Sequence, residues 1–114
     1  MPREMTIEEC QAAFLKHVWV LIDYWSKLPG KTERERMDGL AFSMLVAIDG
    51  EAMAVPSFTL APAPHPDDKE YRRSQGNNWW PPSGVDIAGP LHDQFHDAGL
   101  KLGYLPKQRT KDAS

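Results

Sequence analysis

Residues Pro56–Pro82 constrain this chain more than any other feature. The stretch holds six prolines and the adjacent pair Trp79-Trp80, and it shows no helical period. Proline lacks a backbone donor and has a fixed φ, so it interrupts helices and central strands alike. A loop of this length is uncommon inside a small domain and is as a rule either functional or disordered. The aromatic residues argue against disorder, because disordered segments are poor in them. The expectation is an ordered connector with work to do.

Two helices precede it, each with its own start signal. Thr6 followed by Glu9 forms a capping box, and Glu8 and Glu9 suit the positive end of the helix dipole. Ile7, Cys10, Phe14, Val18, Leu21 and Trp25 recur at spacings of three and four, and a second stripe of Leu15, Trp19 and Ile22 widens the apolar face. Pro29-Gly30 ends this helix near Leu28. Thr32 and Glu35 form a second capping box, with Met37, Leu40, Met44, Leu45 and Ile48 as the apolar face and Asp49-Gly50 as the stop. So short a connection makes the two helices antiparallel neighbours. Gly39, Ser43 and Ala47 lie four apart, a ridge of small residues that suits close approach of a packed element. A competing arrangement pairs Ala41–Ile48 with Met53–Leu60 as a β-hairpin around Asp49-Gly50; the capping box favours helix. Ala52–Leu60 suits at most a short edge strand, because of Pro56.

After the connector, Asp86 or Gly89 is the expected cap of a third helix, with Pro90 in its first turn. Ile87, Leu91, Phe95 and Ala98 form its apolar side, and Gly99 marks its end. Leu100–Leu105 reads as a strap over the core, and residues 106–114 as a frayed polar tail. The fold class is therefore mainly α, with a small α+β fold left open. It comprises an antiparallel helix pair, a third helix across it and a long Pro/Trp-rich ordered connector, with little or no strand, all in one domain spanning 1–114.

The 114 residues suffice for one core. A net charge of −3 offers nothing to a phosphate backbone, so nucleic acid is not an expected partner. The longest apolar run, Leu40–Ile48, is far short of the roughly 20 residues that cross a bilayer, so no membrane partner is expected. No secretory signal is visible at Met1-Pro2-Arg3-Glu4. Cys10 is the single cysteine, so no internal disulfide forms, which suits a reducing compartment; the expected location is cytoplasmic.

Three constellations offer chemistry. His92 and His96 lie four apart with Asp93 between them, resembling the spacing of the zinc-protease helix, where the two histidines hold zinc and a glutamate acts as base. Zinc needs a third protein ligand, for which His65 or Asp67, then Asp68 or Asp97, come into question. With no third ligand set by spacing, a solvated polar helix face opposite Leu91 and Phe95 is the preferred reading, and no cofactor or metal is expected. The second constellation is Trp79-Trp80-Pro81-Pro82, where adjacent indoles can anchor the connector, form a platform for a peptide, sugar or protein surface, or do both with one ring each way. The third is Tyr71, Arg72 and Arg73 in a run of mixed charge from His65 to Arg73, read first as a solvated loop rim and second as a patch for a charged partner. Cys10 sits on an apolar stripe and behaves as a small hydrophobe.

The segments Glu35–Gly50 and Asp86–Asp93 together resemble small uncharacterised phage and prophage proteins of bacteria. The resemblance implies a bacterial host and a role in phage–host interaction, and it transfers no site residues. The functional expectation is a non-enzymatic binding protein acting by protein–protein contact, with Trp79, Trp80, Tyr71, Arg72 and Arg73 as its contact residues. A metal-dependent hydrolase centred on His92 and His96 is the alternative, and a structural homodimer is a third, since two wide apolar faces exceed what one small core covers.

Overall fold

Thr6 opens α1 (Ile7–Lys27) and Thr32 opens α2 (Glu33–Ile48), each as a complete capping box. In both, the threonine hydroxyl accepts from the backbone N–H three residues on at 3.1 Å. The glutamate there accepts in return from the threonine N–H at 2.8 Å. The computed structural model describes residues 1–105, and the tail expected at 106–114 lies outside the described residues. Two further helices follow, α3 (Asp68–Ser74) and α4 (Leu91–Lys101). Among the described residues there is no strand, so the fold is mainly α and the hairpin and edge-strand alternatives for 41–60 do not form.

The turn between α1 and α2 is clasped by Arg36, whose guanidinium donates to the Leu28 carbonyl through Nε at 3.2 Å and Nη2 at 3.0 Å. Trp25, near the end of α1, lies on Gly39 of α2, while Phe14 near the start of α1 shares a groove with Ile48. The pair therefore runs antiparallel, as its short connection requires. The ridge of small residues has its explanation here: the Trp25 ring covers Gly39, its indole N–H donates to Ser43 Oγ at 3.0 Å, and Ala47 is buried. Only glycine leaves room for the ring at position 39. Trp19 and Leu15, expected on the same wide face, are instead largely exposed.

α2, α3 and α4 close in the same way. At α3 the N–H of Gly76 returns to the Arg73 carbonyl at 3.0 Å and that of Asn77 to Arg72 at 2.9 Å. Equivalent pairs follow Gly50 after α2 and Gly103 after α4. The paired bonds need a left-handed residue at the first non-helical position, which glycine alone supplies cheaply. Gly99, expected to end the third helix, is inside it; Gly103 ends it four residues later, at φ 84°. Leu100–Leu105 is thus the last turn and closure of α4 rather than a strap, with Leu105 folded back on Gly99.

α3 was not expected, because prolines hid its pattern. Asp68 and Glu70 in its first turn and Arg72 and Arg73 in its last complement the dipole, and Gly76 stops it. Among the described residues it packs against no other helix. The loop carrying it is pinched at the neck: Ile87 N–H donates to the Leu60 carbonyl at 2.8 Å, and Leu60 N–H donates to Asp86 Oδ1 at 2.8 Å. Asp86 thus closes the connector rather than capping α4. Before the neck, the chain leaving α2 folds back so that Val55 is buried and Phe58 meets Phe14 edge-on, centroids 5.1 Å apart.

Ala47 and Val55 are the only fully buried apolar residues among those described. The radius of gyration is 18.6 Å, against about 13 Å for a compact chain of this length. Layers of helix are present, but no enclosed core lies between them.

Position 39 yields a test with a change of sign. Gly39→Ala should destabilise the wild type by about 1–2 kcal/mol in denaturant melts, since overpacking against Trp25 exceeds the gain in helix propensity. In a Trp25→Ala background, where the ring is gone, the same substitution should stabilise by about 1 kcal/mol. A cost equal in both backgrounds would mean the indole does not occupy this ridge.

Candidate functional site

Two places hold the residues singled out from the sequence. The first is the pinched loop. α3 presents Lys69, Arg72 and Arg73, and the chain turning back after Gly76 lays the two indoles beside them. Lys69 Nζ stands 5.1 Å from the centre of Trp79, the Arg73 guanidinium 5.2 Å from the same ring and that of Arg72 5.1 Å from Trp80. These are cation–π distances, each worth about 0.5–1 kcal/mol at exposed positions. Arg72 Nε also donates to the Asn78 carbonyl at 2.5 Å, which fixes the approach of the tryptophans.

The indoles keep 45% and 55% of their surface exposed and border a groove of about 430 Å³. Pro64, Pro66, Pro81 and Pro82 line its walls, with Asp68 and His65 among the polar residues. Asp68 Oδ2 is buried there without a hydrogen-bond partner. An orphaned buried acceptor is rare. The expected anchoring differs in one respect: the rings settle on α3 of their own loop, which contacts no other helix. Of the five expected contact residues, Trp79, Trp80, Arg72 and Arg73 come together. Only the two indoles of these line the groove; Arg72 and Arg73 hold the rings from α3, and Tyr71 is exposed away from it. Pro81 and Pro82 were named with the indoles, whereas Lys69, Pro64 and Pro66 were not among the expected contact residues. The i, i+4 spacing of Lys69 and Arg73, which puts both on one side of a helix, becomes legible only once α3 is known.

The second place is the junction of α2 and α4. His92 is withdrawn from the expected solvated face, while His96 stays half exposed on it beside Asp93 and Asp97; both rings border Phe42 of α2, ring centroids 6.3 and 5.3 Å away. The Asp49 side chain is fully buried, and His92 keeps 16% of its side chain exposed. One Asp49 oxygen accepts from Gly89 N–H at 2.6 Å, and the other from His92 N–H at 2.7 Å and His92 Nδ1 at 2.6 Å. Against a carboxylate, Nδ1 carries the proton. Asp49 is thus both the C-cap of α2 and the capping carboxylate of α4, a role expected of Asp86 or Gly89.

His96 Nε2 lies 3.7 Å from Asp38. His65 and Asp67 belong to the tryptophan loop, where Asp67 N–H donates to His65 Nδ1 at 3.1 Å. Of the six residues considered as metal ligands, His92, His96 and Asp97 are on α4 and His65, Asp67 and Asp68 are in the tryptophan loop, so they are split between two places. Among the described residues no three His, Cys, Asp or Glu side chains gather closely enough to hold a metal ion.

Burial pushes the Asp49 carboxyl up, but the hydrogen bonds from the His92 ring, the His92 backbone and Gly89 outweigh it and hold the group below its ordinary 3.8. The hydrogen bond to Asp49 raises His92 above its ordinary 6.5, against the opposing effect of burial.

The chain matches no known family model, no curated protein and no solved structure at a significant level. No helix among the described residues is long and apolar enough to cross a membrane.

Two outcomes are expected. The stabilisation from charged His92 is fully present below pH 6.5 and is lost as pH rises through its elevated folded value. That from ionised Asp49 is present above pH 3.8 and is lost as pH falls through its depressed one. Denaturation midpoints against pH should therefore be highest between these limits. His92→Asn, which keeps a donor near the Nδ1 position without titrating, should flatten the alkaline fall and leave the acid fall. An unchanged alkaline limb would show that His92 does not bond Asp49 in solution.

At the loop, trypsin should cleave after Arg72 and Arg73 about tenfold faster in Trp79→Ala, Trp80→Ala than in wild type, the effect of losing roughly 1.4 kcal/mol of cation–π contact. Equal rates would mean the indoles do not hold α3.

Proposed function

We propose that this chain is a non-enzymatic binding protein that works by protein–protein contact through the Trp79–Trp80 groove. The observation that carries this reading is the groove itself: half-exposed indoles held against Lys69, Arg72 and Arg73, proline walls, and an unpartnered acceptor on Asp68. Aromatic and proline surfaces of this kind suit an extended segment in a polyproline II conformation. Its rings and methylenes lie flat on indole faces, and its free backbone groups seek donors and acceptors. The volume falls in the range of ligand sites, and its open form suits a strand of chain more than an enclosed small molecule. The resemblance to phage and prophage proteins suits a contact made inside a bacterial host, between phage and host components.

The test is an immobilised library of extended peptides, proline-rich and proline-free, probed with the full chain. Proline-rich members should bind, and Trp79→Ala with Trp80→Ala should lose that binding while retaining the far-ultraviolet helical signal. Binding that survives the double substitution, or no preference for proline-rich members, would sink the reading.

A further inference from the structure

The α1–α2 pair has two long sides besides the one on which α4 packs, and one of them is open. Leu15, Trp19 and Ile22 run along this side of α1, and Trp19 keeps 69% of its surface exposed. On α2, Met37, Leu40, Met44 and Ile48 form the matching side. Shallow grooves mark its course. One of about 310 Å³ lies between Ile22 and Leu40, and one of about 200 Å³ joins Phe14 to Ile48. A third, of about 340 Å³, continues past Phe14 to Ile7 and Cys10. Leu40, Met44 and Ile48 are successive turns of one helix face, so the grooves follow one apolar trench along the pair, walled at its Phe14 end by Phe58, Thr59 and Leu60 of the connector.

We infer that this trench is covered by the same trench of a second copy of the chain, giving a two-fold dimer whose α1–α2 pairs form a four-helix bundle. Area is the first argument. The chain exposes 9517 Å², while a compact monomer of 12.9 kDa exposes about 6,300 Å², an excess of about 3,200 Å² to which the projecting tryptophan loop and the N-terminal residues contribute along with the trench. Obligate homodimers bury about 2,000–5,000 Å² in total, or about 1,000–2,500 Å² per chain, which fits within that excess. The second argument is permanence. Two buried apolar residues among those described do not make a core, so the cover must be present whenever the chain is folded. A second copy is the partner always present with the chain, and an isologous contact covers both trenches at once. Charge is the third. Among the residues lining these grooves, only Glu33 and Arg36 are charged, and with opposite sign, so the trench presents no like-charge barrier to its own copy. Antiparallel helix pairs bury their apolar sides in this way in bundles with short loops.

Sedimentation equilibrium of the full chain over a hundredfold range of concentration tests the inference. The expected mass is twice 12.9 kDa, with a melting midpoint that climbs as concentration rises. The mass of one chain throughout, with a concentration-independent midpoint, overturns it and leaves the trench to a different protein. Leu15→Lys with Trp19→Lys should weaken the dimer at least a hundredfold. Met37→Lys, at an exposed position where the fold itself is little strained, should weaken it at least tenfold and decides the matter if the double variant does not fold. A dimer of undiminished affinity in Met37→Lys overturns the trench as the interface. Trp79→Ala with Trp80→Ala should leave the mass doubled; loss of the dimer in that variant would move the interface to the loop and overturn the inference. Peptide binding by the groove and dimerisation by the trench thus fail separately.

Discussion

The Asp49 carboxylate sits at the centre of the fold. It ends α2 and caps α4, with its two oxygens shared among the Gly89 N–H, the His92 N–H and the His92 ring. A carboxylate removed from water is costly unless each oxygen is satisfied, and these contacts satisfy both. Because one residue joins the end of one helix to the start of another 40 positions later, it determines where the connector must return. The Leu60–Asp86–Ile87 neck follows from that constraint, since a chain that leaves α2 at Asp49 and rejoins it at Gly89 has its two strands side by side. His92 is thereby a structural residue, its ring nitrogen committed to holding two helices together.

Everything between the neck residues is a unit of its own. α3 is too short to persist alone, since isolated helices below about 12–15 residues are marginal in water. It is held instead by a closing glycine, by charges arranged along the dipole and by indoles stacked under its cations. The same indoles are half free, so the contacts that order the loop also present it. Prolines reduce the freedom the unfolded loop would lose, which makes so few contacts sufficient.

The helical framework has the opposite character: regular in its caps and turns, open in its packing. Trp25 on Gly39 and Phe42 against Phe95 and His96 tie helices pairwise, but no third layer closes over them. In a chain of 114 residues the apolar faces of α1 exceed what one neighbouring helix can cover. Surface of that kind is a property of subunits more than of self-contained monomers.

The starts of α1 and α2, their antiparallel pairing and the role of the Gly39–Ser43–Ala47 ridge were all legible in the sequence, because each depends on residues within a turn or two of one another. Capping boxes are local chemistry, and a ridge of small residues admits few uses. α3 was obscured by the proline background, although its charge order and Gly76 were there to be read. What lies between distant segments was not legible. Asp49 looked like a turn residue, Asp86 like a helix cap, and His92 like part of a solvated face or a metal pair, since spacing along a helix says which residues share a side but not what stands opposite. Among the candidate residues, Trp79 and Trp80 were marked by composition alone, whereas Lys69 and the exclusion of Tyr71 required the path of the loop. Local hydrogen bonding and periodicity are written in neighbouring residues; the pairing of one buried carboxylate with a helix 40 residues away is decided only when the chain folds, because only then does burial select which partner satisfies it.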